Sequence, residues 1–260
     1  MAFKISKRRK FVVSAIVLSL GLLLIQVFNL SWRYVAICIL SLATYILSAW
    51  SLSEGLEGIE WVTVLFLPAL FTAGIGFFYF LVPSRWFTRI PVIGLYGLGI
   101  YSLMLIENIF SVAAIRTIQL LRSAQAVGFL MTLLTAFLFY DTIFSYRLDP
   151  WLNIFWVALV SFPLVLPALW CINLEEKISQ RLLLYTFVLI LIQGEIALAI
   201  SFWPVTVAVG SLALASTLYI TLGLSQNALS EKLFKKTINE YLTVGLVVLV
   251  VIFLTTHWGG

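Results

Sequence analysis

The chain has 260 residues, of which 62% are hydrophobic and only 10% are charged, and its net charge is +5. An ordinary soluble domain is about half apolar and about a quarter charged, so this composition excludes a soluble globular protein. The apolar residues form runs long enough to cross a bilayer as helices, which takes about 20 residues. The sequence therefore predicts an all-α, polytopic helical integral membrane protein.

The positive charge is concentrated at the start of the chain. Five of the first ten residues are basic: Lys4, Lys7, Arg8, Arg9 and Lys10. Because an apolar run follows them at once, this cluster is typical of a cytoplasmic flank beside anionic lipid and not of a nucleic-acid surface. We therefore expect the lipid bilayer to be a partner of the chain, and nucleic acid not to be one.

Nine apolar runs are predicted to be transmembrane helices. They cover residues 11–30, 34–50, 61–81, 92–115, 126–146, 151–172, 182–202, 205–224 and 241–257. If the N-terminus lies in the cytoplasm, 12 of the 16 lysines and arginines fall in inner segments. By the positive-inside rule this predicts a cytoplasmic N-terminus and an outer C-terminus, in the plasma (inner) membrane.

The connections between these runs are short, so we expect a single transmembrane domain over residues 1–260, with residues 1–10 as a basic cytoplasmic tail. The longest connection covers residues 225–240. Its apolar residues fall on one helical face and its lysines fall towards the other, which indicates an amphipathic helix on the inner membrane surface. A solvated basic loop is the alternative interpretation.

The chain has few of the residue types on which enzyme active sites commonly depend. It has only two aspartates, Asp141 and Asp149, and one histidine, His257, near its C-terminal end. Paired-aspartate metal sites, intramembrane histidine metal sites and bis-histidine haem are therefore excluded. A Ser–His nucleophile pair would have to use that terminal histidine. We expect no enzymatic activity, no catalytic residue, no cofactor and no bound metal ion.

Three acidic residues lie within the apolar runs: Glu107, Asp141 and Glu195. An ionisable group at membrane depth is costly, so each marks a candidate site. With a helical rise of 1.5 Å per residue, Asp141 and Glu195 are expected about 7 and 10 Å below the outer ends of their helices, at a similar level. Glu107 is expected apart from both, in the inner half of the membrane.

Glu107 has the richest surroundings. A helical stripe beside it consists of small and polar residues: Gly94, Gly97, Tyr101 and Asn108. Ser111 follows Glu107 one turn later, and small residues on the stripe would let a neighbouring helix approach closely. Two interpretations stay open for Glu107: a protonated side chain that hydrogen-bonds across helices, and a proton or substrate site. The same two apply to Glu195, whereas Asp141 is interpreted as an interfacial residue.

Two prolines, Pro163 and Pro167, lie inside the sixth run on one helical face. They could kink the helix and free backbone carbonyl groups.

Three functions remain. The few intramembrane polar groups and short loops favour a non-enzymatic subunit or scaffold, with other membrane proteins as partners. The second is a small secondary transporter. The most specific version of this hypothesis couples transport to protons through Glu107 and Glu195. The third is a lipid-modifying membrane enzyme.

Overall fold

The computed structural model describes residues 6–25, 32–53, 55–81, 86–115 and 119–256. This part of the chain contains ten helices and no strand. The helices are α1 (Lys7–Ile25), α2 (Arg33–Leu52), α3 (Glu60–Thr63), α4 (Phe66–Tyr79), α5 (Trp86–Ile115), α6 (Leu121–Ser145), α7 (Pro150–Asn173), α8 (Gln180–Ser201), α9 (Val207–Leu229) and α10 (Lys235–Thr255). The predicted all-α class is confirmed.

Each of the nine predicted runs lies on a helix, and the third is divided between α3 and α4. Eight helical stretches among the described residues are long and apolar enough to cross a membrane. They are α2, residues 60–79, residues 89–114, α6, α7, α8, α9 and α10. The first helix, α1, begins with four basic residues, and its last described residue is Ile25. These helices fit a protein that is integral to a membrane.

Two helix boundaries differ from the predicted ones. Pro91 lies inside α5, which begins at Trp86, so the helix lacks the hydrogen bond that residue 91 would otherwise donate to the carbonyl oxygen of Phe87. The segment 225–240 is not one separate helix: α9 continues to Leu229, and α10 begins at Lys235. Between them Glu231 adopts a left-handed backbone conformation with φ 57°, which ends the helix. The position of this segment relative to the membrane surface stays a prediction.

The contacts divide the chain into two compact units, Met1–Met131 and Thr132–Gly260, called unit 1 and unit 2 below. Helix α6 contributes residues to both. In unit 1, α1 packs against α2 and α5, and α4 also packs against α2 and α5, so these four helices close a ring. Its interior contains large side chains with almost no exposure, including Phe71, Tyr96 and Leu103. The single domain expected over residues 1–260 stays a prediction.

In unit 2, α7, α8 and α9 pack against one another, and α10 packs mainly on α9. No residue of α10 is buried. The ring of Tyr241 on α10 lies against Gly223 of α9, and just after α10 the Oγ1 atom of Thr256 accepts a hydrogen bond from the indole Nε1 of Trp203 at 2.7 Å. Helix α10 is therefore peripheral to its unit.

Candidate functional site

Glu107 lies on the most buried stripe of α5. The other members of this stripe are spaced three or four residues apart: Tyr96, Ile100, Leu103 and Ser111. Glu107 itself is only 2% exposed, and its carboxyl group has no hydrogen-bond or ion-pair partner among the described residues. A buried polar group without a partner carries its full desolvation cost. Packing alone therefore does not explain a carboxyl group at this position.

Ser111 connects this stripe to the connection before α3. Its hydroxyl group donates to the carbonyl oxygen of Gly55 at 2.5 Å, and the side chain of Glu60 is a second hydrogen-bond partner. A hydroxyl group has one proton to donate. Ser111 can therefore donate either to the carbonyl oxygen of Gly55 or to the carboxyl group of Glu60, which also accepts from Glu57 N at 3.5 Å. Glu60 is only 6% exposed, so a second buried acid lies beside Ser111, one turn from Glu107.

The sequence did not identify Glu60 as a site residue. Glu60 is the first residue of α3. It lies just before the third apolar run, in a predicted connection. The sequence nevertheless contains a pattern of glutamates around this position. Glu54, Glu57 and Glu60 follow one another at intervals of three residues, with no lysine or arginine between Arg33 and Arg85. Three acids without a cation at the start of a spanning helix are a reason to expect a buried carboxyl group; Glu54 lies outside the described residues.

The glycine stripe of α5 lies on a different face from Glu107. Gly94, Gly97 and Tyr101 line an open groove against α1, whereas Asn108 is half-buried further along the helix. A Cβ atom at Gly97 would lie 2.7 Å from the hydroxyl oxygen of Ser19, so this glycine allows α1 to approach closely. Of the predicted set, the structure brings Glu107 together with Ser111 and places Tyr101 elsewhere.

Asp141 is a buried residue of α6, with 8% exposure, and it contacts α9. The hydroxyl group of Ser211 donates to its Oδ1 at 3.0 Å. The preceding residue, Tyr140, is fully buried, and its hydroxyl oxygen lies 2.7 Å from that of Ser161 on α7. Two consecutive residues of α6 therefore hydrogen-bond to two different helices. This arrangement gives Asp141 a packing role inside unit 2.

Glu195 is exposed on the surface of α8, about 9 Å from the end of the helix at Ser201 by the helical rise. The buried polar residues of α8 are instead Thr186 and Gln193. With its amide group oriented to satisfy both atoms, Gln193 donates to Leu214 O at 3.2 Å and accepts from Leu218 N at 3.1 Å. Although Asp141 and Glu195 were predicted at a similar level, one is buried and the other is exposed.

The prolines Pro163 and Pro167 lie inside α7, which is continuous from Pro150 to Asn173. They would free the carbonyl groups of the residues four positions earlier, Leu159 and Pro163. In the part of the chain that the structure describes, neither carbonyl group accepts a side-chain hydrogen bond. The nearby interhelical bond runs from Gln226 Nε2 to the carbonyl oxygen of Ala168, at 2.7 Å.

No group of three or more histidine, cysteine, aspartate or glutamate side chains that could hold a metal ion occurs among the described residues. The single histidine, His257, lies outside them. That the chain uses no cofactor or metal ion therefore stays a prediction.

The helices and their apolar surfaces define the chain as a multi-pass integral membrane protein. A comparison with protein families matches residues 20–255 to the family described as "Protein of unknown function (DUF5656)". Since this match covers most of the chain, the protein belongs to that family. No curated protein and no solved structure matches the chain.

Proposed function

We propose that the protein is a non-enzymatic subunit of a membrane assembly and that it binds another membrane protein through the exposed face of α8. The observation that carries this proposal is the position of Glu195. It is exposed on a helix that is long and apolar enough to cross a membrane. On insertion scales a charged side chain at the centre of a membrane helix costs about 2.5–3.5 kcal/mol. A partner helix that offers a cation or a hydrogen-bond donor at this level reduces that cost.

The rest of this face is apolar. It consists of exposed residues that repeat every three or four positions up to Glu195: Leu184, Phe187 and Leu191. Residues with this spacing lie on one side of a helix. A single carboxyl group within an apolar stripe suits a helix of another membrane protein better than a water-soluble ligand. The carboxyl group would then fix the depth at which the partner helix packs.

The proposal also includes the orientation of the protein in the membrane. We propose that the N-terminus is cytoplasmic and that the protein resides in the plasma (inner) membrane. The distribution of lysines and arginines supports both statements.

Purification of the full chain in mild detergent tests the assembly. We expect the wild-type protein to co-purify with a membrane protein in fixed stoichiometry, and a photoreactive amino acid at Leu191 to cross-link to it. Because an intramembrane hydrogen bond contributes about 0.6–1.7 kcal/mol, Glu195→Leu should lower the affinity for the partner about 3- to 18-fold. The yield of folded protein should stay unchanged, since no hydrogen bond of the described residues is lost.

Two controls accompany this experiment. Glu240→Leu makes the same replacement at an exposed residue of α10, and a photoreactive group at Leu246 tests another exposed apolar surface. Neither should affect or capture the partner. Equal loss of yield and partner in Glu195→Leu would instead identify Glu195 as structural, and unchanged recovery would contradict the proposal.

A second candidate function, proton-linked transport, is favoured by one observation: the buried Glu107 carboxyl group without a partner. Liposomes that contain a pH-sensitive dye and the purified chain would report proton flux. This candidate requires that Glu107→Gln abolishes the flux and that the folded yield stays the same. If yield and flux fall together, Glu107 is structural.

A further inference from the structure

An open groove of about 420 Å³ lies between α1 and α5 in unit 1. Its walls are apolar and include Val12 and Ile16 of α1 and Leu98 of α5. Two glycines shape it in different ways. Gly97 brings α1 close, whereas a Cβ atom at Gly94 would meet nothing within 4 Å, so the groove is open at Gly94. The space is therefore formed by the helix surface and is not filled by a neighbouring side chain.

Two residues that line the groove, Ser19 and Tyr101, have hydroxyl groups without a hydrogen-bond partner among the described residues. The side chain of Tyr101 is half-buried. Tyrosine hydroxyl groups in apolar surroundings usually find a partner. On the same helix, the hydroxyl oxygen of Tyr96 lies 3.0 Å from that of Thr72. The unsatisfied hydroxyl group of Tyr101 indicates an occupant that has a polar atom as well as apolar surface.

Two cations continue the groove at the N-terminal end of α1. Arg8 and Arg9 are exposed and precede Val12 by four and three residues, which places them on the groove side of the helix. Their Cα atoms lie about 5–6 Å along the axis from Val12 by the helical rise. Lys10 has a different contact, since its Nζ lies 5.3 Å from the centre of the Trp50 ring on α2. The basic cluster is thus divided, and its arginines belong to the groove.

We propose that this groove binds one acyl chain of an anionic phospholipid, whose phosphate group contacts Arg8 and Arg9. From Arg8 to Leu20 the helix rises about 18 Å, which is close to half of the ~30 Å hydrocarbon core. The groove and its cations therefore match the length of a lipid in one leaflet. The guanidinium groups of arginine bind phosphate through two parallel hydrogen bonds. A helix of another protein would leave these arginines without an anion, so the charges favour a lipid.

Native mass spectrometry of the full chain in mild detergent tests this proposal, with added phosphatidylglycerol or phosphatidylcholine of the same acyl composition. We expect the wild-type protein to retain phosphatidylglycerol preferentially. The double variant Arg8→Gln and Arg9→Gln should bind phosphatidylglycerol about 30-fold more weakly, the change expected for two cations near anionic lipid, and should bind phosphatidylcholine as before. The matched control is Lys235→Gln with Lys236→Gln, which removes two exposed cations at the start of α10 and should leave binding unchanged.

A second variant, Gly94→Leu, places a side chain in the groove at a position where the Cβ atom meets nothing within 4 Å, and should lower the binding of both lipids. Ala199→Leu adds the same volume at an exposed position of α8 and is its control. Equal retention of the two lipids by the wild-type protein would overturn the proposal, as would binding that neither the arginine variant nor Gly94→Leu reduces. A dimer that Gly94→Leu converts to monomers, with lipid binding unchanged, would show that the groove holds a helix of a second copy.

Discussion

Two buried carboxyl groups, Glu107 in unit 1 and Asp141 in unit 2, differ in their hydrogen bonds. In unit 2, Asp141 accepts a hydrogen bond from Ser211, so packing between α6 and α9 accounts for it. In unit 1, Glu107 is more deeply buried, yet it has no partner among the described residues. The position of an acid within an apolar run thus does not reveal its role, whereas its hydrogen-bond partners do. This difference directs the search for chemistry to unit 1.

The two fully buried tyrosines, Tyr96 in unit 1 and Tyr140 in unit 2, do not show this difference. In unit 1, Tyr96 can donate to Thr72, Thr72 to Thr44, and Thr44 to the carbonyl oxygen of Leu40, over distances of 3.0, 3.0 and 2.9 Å. This direction gives every hydroxyl group one acceptor and links α2, α4 and α5. In unit 2 the fully buried Tyr140 is likewise paired, with a serine of α7. The contrast between Glu107 and Asp141 therefore does not extend to these two tyrosines.

The largest difference between the units should come from adding a methyl group at one glycine in each unit. Both glycines contact an aromatic ring. A Cβ atom at Gly99 would lie 2.6 Å from the Phe71 ring, which is 2% exposed and stacked on Tyr96. Because this ring cannot move away, Gly99→Ala should lower the free energy of unfolding by about 3 kcal/mol. Gly223→Ala contacts Tyr241 on the peripheral α10, which can shift, so its loss should stay below about 1 kcal/mol. Unfolding in mixed detergent micelles, followed by circular dichroism, measures both. Equal losses would show that α10 is held as firmly as the interior of unit 1.

An intermediate effect, of opposite sign in the two units, is expected from replacing each buried acid by leucine. Glu107→Leu removes a carboxyl group without a partner and should raise the free energy of unfolding by about 1–2 kcal/mol. Asp141→Leu removes the acceptor of Ser211, whose hydroxyl group can still donate to the carbonyl oxygen of Val207, so a loss of about 0.6 kcal/mol is expected. Thermal and detergent unfolding of the two variants decide the signs. A destabilised Glu107→Leu would remove the contrast between the units.

The smallest effect tests the similarity of the two buried tyrosines. Tyr96→Phe and Tyr140→Phe each delete one interhelical hydrogen bond between hydroxyl groups, and such bonds contribute about 0.6 kcal/mol on average. We expect similar small losses in the two variants under the same unfolding conditions. If only one of them is destabilised, the contrast extends to these tyrosines, and the comparison must be widened.

The helices could be predicted because crossing a bilayer requires a length of apolar residues that the sequence displays directly. The side of each helix that faces its neighbours could not be predicted in the same way. Lipid and protein interior are similarly apolar, so the faces of α8 carry no hydrophobic contrast, and only the structure shows that Gln193 is buried and Glu195 exposed.

The candidate site in unit 1 was predicted in part. Glu107 and Ser111 share a helix, and their spacing of four residues is visible in the sequence. Glu60 reaches Ser111 from a different element, and a contact between distant residues has no local signal. The expected stripe of Gly94, Gly97 and Tyr101 exists, but it lines a groove against α1, because the arrangement of neighbouring helices decides which face of α5 is covered.

The contact between Ser19 and Gly97 has a consequence for synthesis of the chain. Gly97 is made 78 residues after Ser19, which takes about 4–16 s at 5–20 residues per second. During this interval α1 has α2 as a neighbour, through the hydrogen bond between Ser14 and Ser51, but α5 has not yet been made. The side of α1 that later meets α5 therefore contacts lipid first. Because Gly97 has no side chain, α5 can approach Ser19 closely when it docks, whereas a Cβ atom there would lie 2.7 Å from the hydroxyl oxygen of Ser19.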